Sequence, residues 1–201
     1  LLLIFIFDIF YNDFKIINIF GFINEVDTLL VLLVIFLLLV LGIIDDKISI
    51  KPLSKSLVSM LIFFTFLSIR IDYQIIDLRF ETFNFSVDLF KLSLIFTIFC
   101  FVILQILFNM YDGINLQSAI YYSVILIYLI LVNKNNNFSI FCSLTLINLV
   151  FFSVYNYKQK IFLGDNGVYI FSFILSLLII KTYQNNYANF FAEEIIIILF
   201  I

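Results

Sequence analysis

The sequence predicts an all-α protein: a polytopic transmembrane helix bundle with about six full spans and partial spans at both ends. Three observations lead to this prediction. Of the 201 residues, 64% are hydrophobic and 12% are charged, whereas a soluble domain typically has about 25% charged residues. The apolar runs approach the ~20 residues that a spanning helix needs. They also lack the alternation of apolar and polar residues that is typical of a membrane β-barrel.

The apolar runs place the spans in order along the chain. The full spans are predicted at 28–44, 53–69, 88–108, 114–132, 138–155 and 167–182, with partial spans at 1–10 and 192–201. Pro52 falls at the first turn of the second span, where its missing N–H group costs nothing. Residues 70–87 mix polar and apolar residues in rough alternation, which predicts a short hairpin or an interfacial segment.

The chain shows no internal repeat and no domain boundary, which predicts a single integral membrane domain over residues 1–201. It begins with Leu rather than Met, and both ends fall inside apolar runs. The first residues lack the basic region and the small-residue cleavage site of a signal peptide. We therefore interpret the chain as an internal piece of a longer membrane protein.

The composition excludes several kinds of site. The sequence has no histidine, which removes a common acid–base residue and the commonest ligand of zinc and copper. Cys100 and Cys142 each lie in an apolar run, which predicts buried packing rather than a disulfide or a zinc site. No basic stripe is present, so no nucleic-acid partner is predicted. Because histidine is absent and the cysteines are predicted to be buried in packing, any bound metal ion must be a hard ion with oxygen ligands.

The number of crossings places three polar junctions on one face of the membrane. If residues 41–55 lie on one side, two spans return the chain to that side at 108–115, and two more return it at 157–167. The connections at 70–87, 133–137 and 183–191 then lie on the other side. Each side holds five lysines and arginines, so positive charge does not identify the cytoplasmic face. We call the side with the three junctions the site face.

Glycine is concentrated in these junctions. The chain has five glycines, where roughly 14 would be usual for its length. Four of the five lie in the three junctions, at Gly42, Gly113, Gly164 and Gly167. Glycine allows a positive φ and a close approach of the backbone to a ligand, so this clustering indicates tight turns at a binding site.

Carboxylates lie at the end of the first full span and at the start of the last one. Asp45 and Asp46 close the first full span, where carboxylates oppose the helix macrodipole. Either this helix end simply meets water, or a bound cation compensates the charge. Asp165 opens the last full span, where its carboxylate could cap the helix or bind a cation.

The middle junction adds amides and a further carboxylate. Asn109, Asp112 and Asn115 recur at a spacing of three, which puts them on one face of a continuing helix; the alternative is an ordinary polar turn. Carboxylate and amide oxygens suit Mg²⁺, which typically takes one or two protein carboxylates together with substrate phosphates. The lysines of the first and last junctions suit phosphate oxygens. Together these residues predict a Mg²⁺–diphosphate site and phosphoryl transfer, which depends mainly on positioning and charge neutralisation.

Three motifs, in this order, resemble the polyprenyl-phosphate N-acetylhexosamine-1-phosphate transferases. They are GIIDDK (42–47) followed by Lys55, then FNMYDGIN (108–115), then KIFLGDNG (160–167). This family, of the glycosyltransferase family 4 type, includes the phospho-N-acetylmuramoyl-pentapeptide transferase and the undecaprenyl-phosphate GlcNAc-1-phosphate transferase. The resemblance implies that the chain is the central part of a longer transferase.

The resemblance also implies an activity, a cofactor and a location. Members move a sugar-1-phosphate from a UDP-sugar to polyprenyl (undecaprenyl) phosphate, giving polyprenyl-diphosphate-sugar and UMP, as the initiating step of cell-envelope glycan synthesis. The reaction uses Mg²⁺, with Mn²⁺ as an alternative, at the cytoplasmic face of the inner membrane. The expected partners are therefore the UDP-sugar, the lipid phosphate and the lipid bilayer, and a homodimer is compatible with the resemblance.

Residue roles follow from matching the motifs position by position. The resemblance implies that Asp165 is the principal Mg²⁺ ligand and that Asn109 is a second ligand. It places Asp45 and Asp46 at the reacting phosphates, where one of them would deprotonate the lipid phosphate. Asp112 belongs to the same catalytic group, as a residue that supports the site.

Two further residues are matched to substrate binding, and three features depart from the family pattern. Lys55 would contact the diphosphate and Asn115 would help to hold the uridine. Many bacterial members carry Asp at the position of Asn115, which leaves the sugar open. They also carry Asn at the position of Ile106. The late loop with an Arg/His motif, and the Gly- and Pro-rich segment after the first span of the family, are absent from this sequence.

Two other interpretations remain open at this point. Carboxylates within a membrane protein also mark transporters and ion pathways. Such pathways place ionisable residues near the middle of the membrane, whereas here they lie at the ends of the spans. The chain could also be an inactive fragment of the transferase, because its helices lack packing partners from the rest of the protein.

Overall fold

The computed structural model describes residues 25–82, 84–113, 116–133, 136–185 and 190–200. This part of the chain contains seven α-helices and one two-stranded hairpin. The helices are α1 Glu25–Ile48, α2 Pro52–Ile69, α3 Ser93–Tyr111, α4 Gln117–Val132, α5 Asn136–Tyr157, α6 Gly164–Asn185 and α7 Ala192–Phe200, and the strands are β1 Asp77–Phe80 and β2 Phe85–Asp88. The predicted all-α class is confirmed.

Each of the six predicted full spans contains one α-helix. The span predicted at 88–108 starts later in the structure, because Asp88 ends β2 and α3 begins at Ser93. Five described segments are long and apolar enough to cross a membrane: Leu29–Ile48, Pro52–Ile69, Phe90–Tyr111, Phe138–Tyr157 and Gly164–Asn185. The remaining one, α4, is apolar but has 16 residues, about 24 Å at the usual helical rise. That is less than the ~30 Å of a hydrocarbon core. The helices fit a multi-pass membrane protein.

The segments outside the full spans agree with the sequence where they are described. Residues 70–87 contain the predicted hairpin, in which β1 and β2 pair antiparallel. The partial span predicted at 192–201 contains the nine-residue helix α7, whereas the one at 1–10 lies outside the described residues. Cys142 is buried, Cys100 is half-buried, and both are free thiols.

Helix α6 lies at the centre of the bundle. It packs against α1 and α3 and also contacts α4. Phe63 of α2, Phe101 of α3 and Phe173 of α6 form an aromatic cluster with ring centroids 5.2 to 5.9 Å apart. Aromatic side chains bury a large apolar area, so this cluster fixes α6 against its neighbours. The first turn of α6 is therefore held close to the ends of α1 and α2.

The hairpin holds the other end of α6. The Tyr183 hydroxyl accepts a hydrogen bond from the Arg79 backbone N–H (2.7 Å) and donates one to the Asp77 carbonyl oxygen (3.1 Å). The Arg79 guanidinium group lies 4.1 Å from the centre of the Tyr183 ring, within the range of a cation–π contact. Because both of its ends are fixed, α6 is a rigid platform for the residues at its N-terminus.

Candidate active site

Lys55 connects carboxylates from two different helices. Its ammonium nitrogen lies 2.9 Å from Asp45 Oδ2 and 3.0 Å from Asp165 Oδ2. Asp45 belongs to the last turn of α1, Lys55 to the first turn of α2, and Asp165 is the second residue of α6. The exposed fractions of the three side chains are 4%, 16% and 25% in that order. The contacts are therefore partly shielded from water, and we call these three residues the Lys55 cluster.

The turn between α1 and α2 explains how Asp45 and Lys55 meet. The second carboxylate oxygen of Asp45, Oδ1, accepts a hydrogen bond from the Ile50 N–H at 2.8 Å. Ser49 adopts a positive φ of 48°, which reverses the chain after α1. Pro52 then begins α2 as its first residue, as the sequence predicts. Lys55 follows within the first turn and points back to the carboxylate that organises the turn.

Asp46 is held by a residue next to Asp165. Its Oδ2 atom accepts a hydrogen bond of 2.9 Å from the side-chain amide of Asn166. Gly42 is buried where α1 crosses the start of α6, and a Cβ atom at this position would overlap the Asn166 side chain. A glycine is therefore needed here for close approach of the two helices, whereas the clustering of glycines predicts a close approach of the backbone to a ligand.

Asp112 holds the backbone that leads into α6. Its two carboxylate oxygens accept hydrogen bonds from the N–H groups of Leu163 (3.0 Å) and Gly164 (2.8 Å). Gly164 has a φ of +65° with open space around it, so glycine is needed for its conformation rather than for its size. Asp165 follows Gly164 directly. Asp112 and Gly164 therefore fix the backbone that orients the Asp165 side chain.

A buried asparagine joins the middle and last junctions. Asn156 is 1% exposed, accepts a hydrogen bond from the Leu116 N–H (2.6 Å) and donates one to the Ile161 carbonyl oxygen (2.8 Å). Leu116 has a positive φ of 64°, which is uncommon for a residue with a branched side chain. The hydrogen bond to Asn156 helps to hold this turn between α3 and α4.

The structure therefore joins the three junctions on one face of the bundle, as the count of crossings predicts. Of the residues that the sequence singles out, the ones joined by these hydrogen bonds are Asp45, Asp46, Lys55, Asp112 and Asp165. Asn109 is exposed in the last turn of α3 and makes no side-chain hydrogen bond with the part of the chain that is described. Asn115 lies outside the described residues.

Three residues at this face escaped the sequence-based prediction. Asn166 lies inside the third motif, but nothing in the sequence indicates that it would reach Asp46, 120 positions earlier. Asn156 is the polar residue nearest the end of an apolar run, which is a weak signal. Tyr169 follows Asp165 by four residues, the spacing that puts two side chains on the same face of a helix, and that spacing could have identified it.

The donor set fits a hard divalent cation with few protein ligands. Among the described residues there is no group of three or more histidine, cysteine or acidic side chains that could hold a metal ion. However, Asp45 and Asp165 come from different helices and already share one cation, the ammonium group of Lys55. Mg²⁺ typically takes one or two carboxylates and completes its shell with water and phosphate oxygens. Two converging carboxylates meet this requirement.

One comparison with known proteins gives a match. The family model described as "Glycosyl transferase family 4" matches residues 28–183. The matched segment runs from α1 almost to the end of α6 and includes all three junctions. No curated protein and no solved structure matches the chain.

Proposed function

Because the chain belongs to glycosyl transferase family 4, we propose that it transfers a sugar-1-phosphate from a UDP-sugar to polyprenyl (undecaprenyl) phosphate. The sugar phosphate is an N-acetylhexosamine phosphate, and the products are polyprenyl-diphosphate-sugar and UMP. One observation supports this most strongly. Lys55 lies between the carboxylates of Asp45 and Asp165 at the ends of membrane-spanning helices, where a diphosphate from the water phase and a phosphate on a lipid could meet.

The reaction exchanges one phosphorus–oxygen bond for another. An oxygen of the lipid phosphate attacks the phosphorus atom that carries the sugar, and the bond from that phosphorus to the bridging oxygen of UMP breaks. The charge that develops is spread over phosphate oxygens, so most of the catalysis comes from positioning and charge neutralisation. Lys55 supplies a positive charge for the diphosphate. Asp45 or Asp46 would accept the proton of the lipid phosphate, and Asn166 orients Asp46 for this role.

The residues that would hold Mg²⁺, or Mn²⁺ in its place, are Asp165 and Asp45, with Asn109 as a further oxygen ligand. The bound ion would neutralise the charge of the diphosphate. Asp112 contributes indirectly, because it fixes the two backbone N–H groups that precede Asp165. Lys55 would leave at least one of its carboxylates when such an ion binds, and it would then be free to contact the phosphates.

The membrane face follows from the chemistry of the proposed donor. A UDP-sugar carries two phosphate charges, and charged groups cross a hydrocarbon core only at a high free-energy cost. The donor is therefore used on the side on which it is made. We place the site face on the cytoplasmic side of the inner membrane for this reason.

The test uses the full-length protein, UDP-N-acetylglucosamine, undecaprenyl phosphate and Mg²⁺, with release of UMP as the measured quantity. Asp165→Asn should lower the rate about 10²–10³-fold, since this is the usual effect of removing one charge-stabilising group at such a site. The matched control is Asp88→Asn, which changes an exposed carboxylate on the hairpin and should leave the rate unchanged. Equal rates for wild type and Asp165→Asn would contradict the proposed role of Asp165.

A further inference from the structure

Tyr169 is a buried tyrosine whose hydroxyl group lacks a partner. The residue is 2% exposed, and its hydroxyl oxygen makes no hydrogen bond in the described part of the chain. Buried tyrosine hydroxyls usually find a hydrogen-bond partner, and a buried polar group without one calls for an explanation. The hydroxyl is therefore a candidate for a contact that forms only in another state of the site.

The position of Tyr169 indicates which contact this is. Tyr169 lies one turn after Asp165 on α6, so both side chains face the same way. Its hydroxyl group lies within electrostatic reach of all three members of the Lys55 cluster. A lysine ammonium group has three N–H donors, and Lys55 uses two of them for Asp45 and Asp165. One donor of Lys55 is left over, and the Tyr169 hydroxyl lies close to the ammonium group without meeting the geometry of a hydrogen bond.

We propose that Tyr169 is a positioning residue for Lys55: its hydroxyl oxygen accepts a hydrogen bond from the ammonium group when a bound diphosphate draws Lys55 away from the carboxylates. This inference rests on the proposed function, because it needs a diphosphate at the site. A diphosphate competes with Asp45 and Asp165 for the same ammonium group, and a lysine side chain has many rotamers to lose when it is held in one place. An acceptor at a fixed position next to Lys55 reduces this loss of side-chain conformational freedom on ligand binding.

Tyr169→Phe removes only the hydroxyl group and keeps the ring. A hydroxyl group that is unpartnered in the free protein does not stabilise the fold, so its removal should leave the melting temperature unchanged or slightly raised. The expected effect is on ligand binding. In the presence of Mg²⁺, the Kd of the full-length protein for UDP should rise about tenfold, which corresponds to about 1.4 kcal/mol.

Tyr122→Phe is a matched control in the same bundle. Tyr122 is 1% exposed, and its hydroxyl oxygen also lacks a hydrogen bond in the described part of the chain. It packs against Phe108 and Phe171, and its hydroxyl makes no hydrogen bond with the Lys55 cluster. Tyr122→Phe should change the Kd for UDP by less than about twofold. A tenfold loss in both variants would show that any buried hydroxyl has this effect, and would overturn the inference.

A double-mutant cycle distinguishes action through Lys55 from direct contact with the phosphate. If Tyr169 acts through Lys55, Tyr169→Phe should have no further effect on the Kd for UDP in a Lys55→Met background. A second tenfold loss in that background would overturn the positioning role and assign a direct contact. An unchanged Kd for Tyr169→Phe alone would refute the inference and leave the proposed function intact, whereas a wild-type protein that binds no UDP would contradict both.

Discussion

Replacing Lys55 with Met should have opposite effects on the stability of the protein and on its response to Mg²⁺. Met keeps much of the length of the side chain but removes the charge that Asp45 and Asp165 share. Without the ammonium group, two partly shielded carboxylates face each other with no cation between them. The free energy of unfolding should therefore fall when no metal ion is present. A divalent cation should bind more readily, because no ammonium group competes for the carboxylates.

The exposure of the three side chains sets the size of the effect. An exposed ion pair contributes about 0–1 kcal/mol, and breaking a buried one by removing one partner costs about 3–5 kcal/mol. With exposed fractions of 4%, 16% and 25%, the cluster is nearer the buried case, and we expect a loss of about 3 kcal/mol. For a chain of this length that corresponds to a fall in melting temperature of roughly 6–12 °C. Mg²⁺ at about 100 times its Kd should return about 2.7 kcal/mol.

The assay is thermal unfolding of the purified full-length protein in detergent, first with EDTA and then with Mg²⁺. Lys51→Met is the matched control, because Lys51 is exposed in the same turn and makes no ion pair with the described residues. Far-ultraviolet circular dichroism is a suitable signal, because it reports the loss of the helices that the bundle contains. If Lys55→Met melts at the same temperature as Lys51→Met in EDTA, or gains no more from Mg²⁺ than wild type does, the reasoning is wrong.

Two further predictions concern the turns around the site. Asp112→Asn leaves one of the Leu163 and Gly164 N–H groups without its carboxylate acceptor. Hydrogen exchange in the segment 161–165 should therefore become faster, and the rate of UMP release should fall about tenfold. Unchanged hydrogen exchange would refute the role of Asp112. Gly42→Ala places a methyl group against the Asn166 side chain and should lower the rate by at least about tenfold. A Cβ atom added at Gly113 would have no neighbouring atom closer than 3.9 Å, so Gly113→Ala should not lower the rate. Equal rates for the two alanine variants would contradict the close approach of α1 and α6.

The sequence predicts the fold well because the features of the fold are local. Each predicted span is a mainly apolar run, and each of the six runs contains one helix of the structure. The hairpin follows from the alternation of residues in 70–87. The shared face of the three junctions follows from counting crossings, which needs only the number of spans. The start of α4 could not be predicted as closely, because two apolar residues, Ile114 and Leu116, come shortly before it in the sequence.

The partners within the site could not be predicted in the same way. Lys55 and Asp165 are 110 positions apart, and their contact depends on how α1, α2 and α6 pack. The resemblance gives Asp112 as a residue that supports the site but does not say how, and the structure shows that both of its carboxylate oxygens accept hydrogen bonds from backbone N–H groups. Tyr169 is one of 11 tyrosines. Its spacing from Asp165 is a signal in the sequence, but its burial next to Lys55 depends on the packing of α6.

The central claim is that Asp45, Lys55 and Asp165 form a single site that binds a divalent cation and a diphosphate together. The most direct measurement is a crystal structure of the full-length protein with UDP and Mn²⁺, in which anomalous scattering locates the metal ion. We predict one Mn²⁺ peak in contact with Asp165, with the diphosphate of UDP next to the Lys55 ammonium group. A Mn²⁺ peak elsewhere in the protein, or UDP bound away from Lys55, would contradict it.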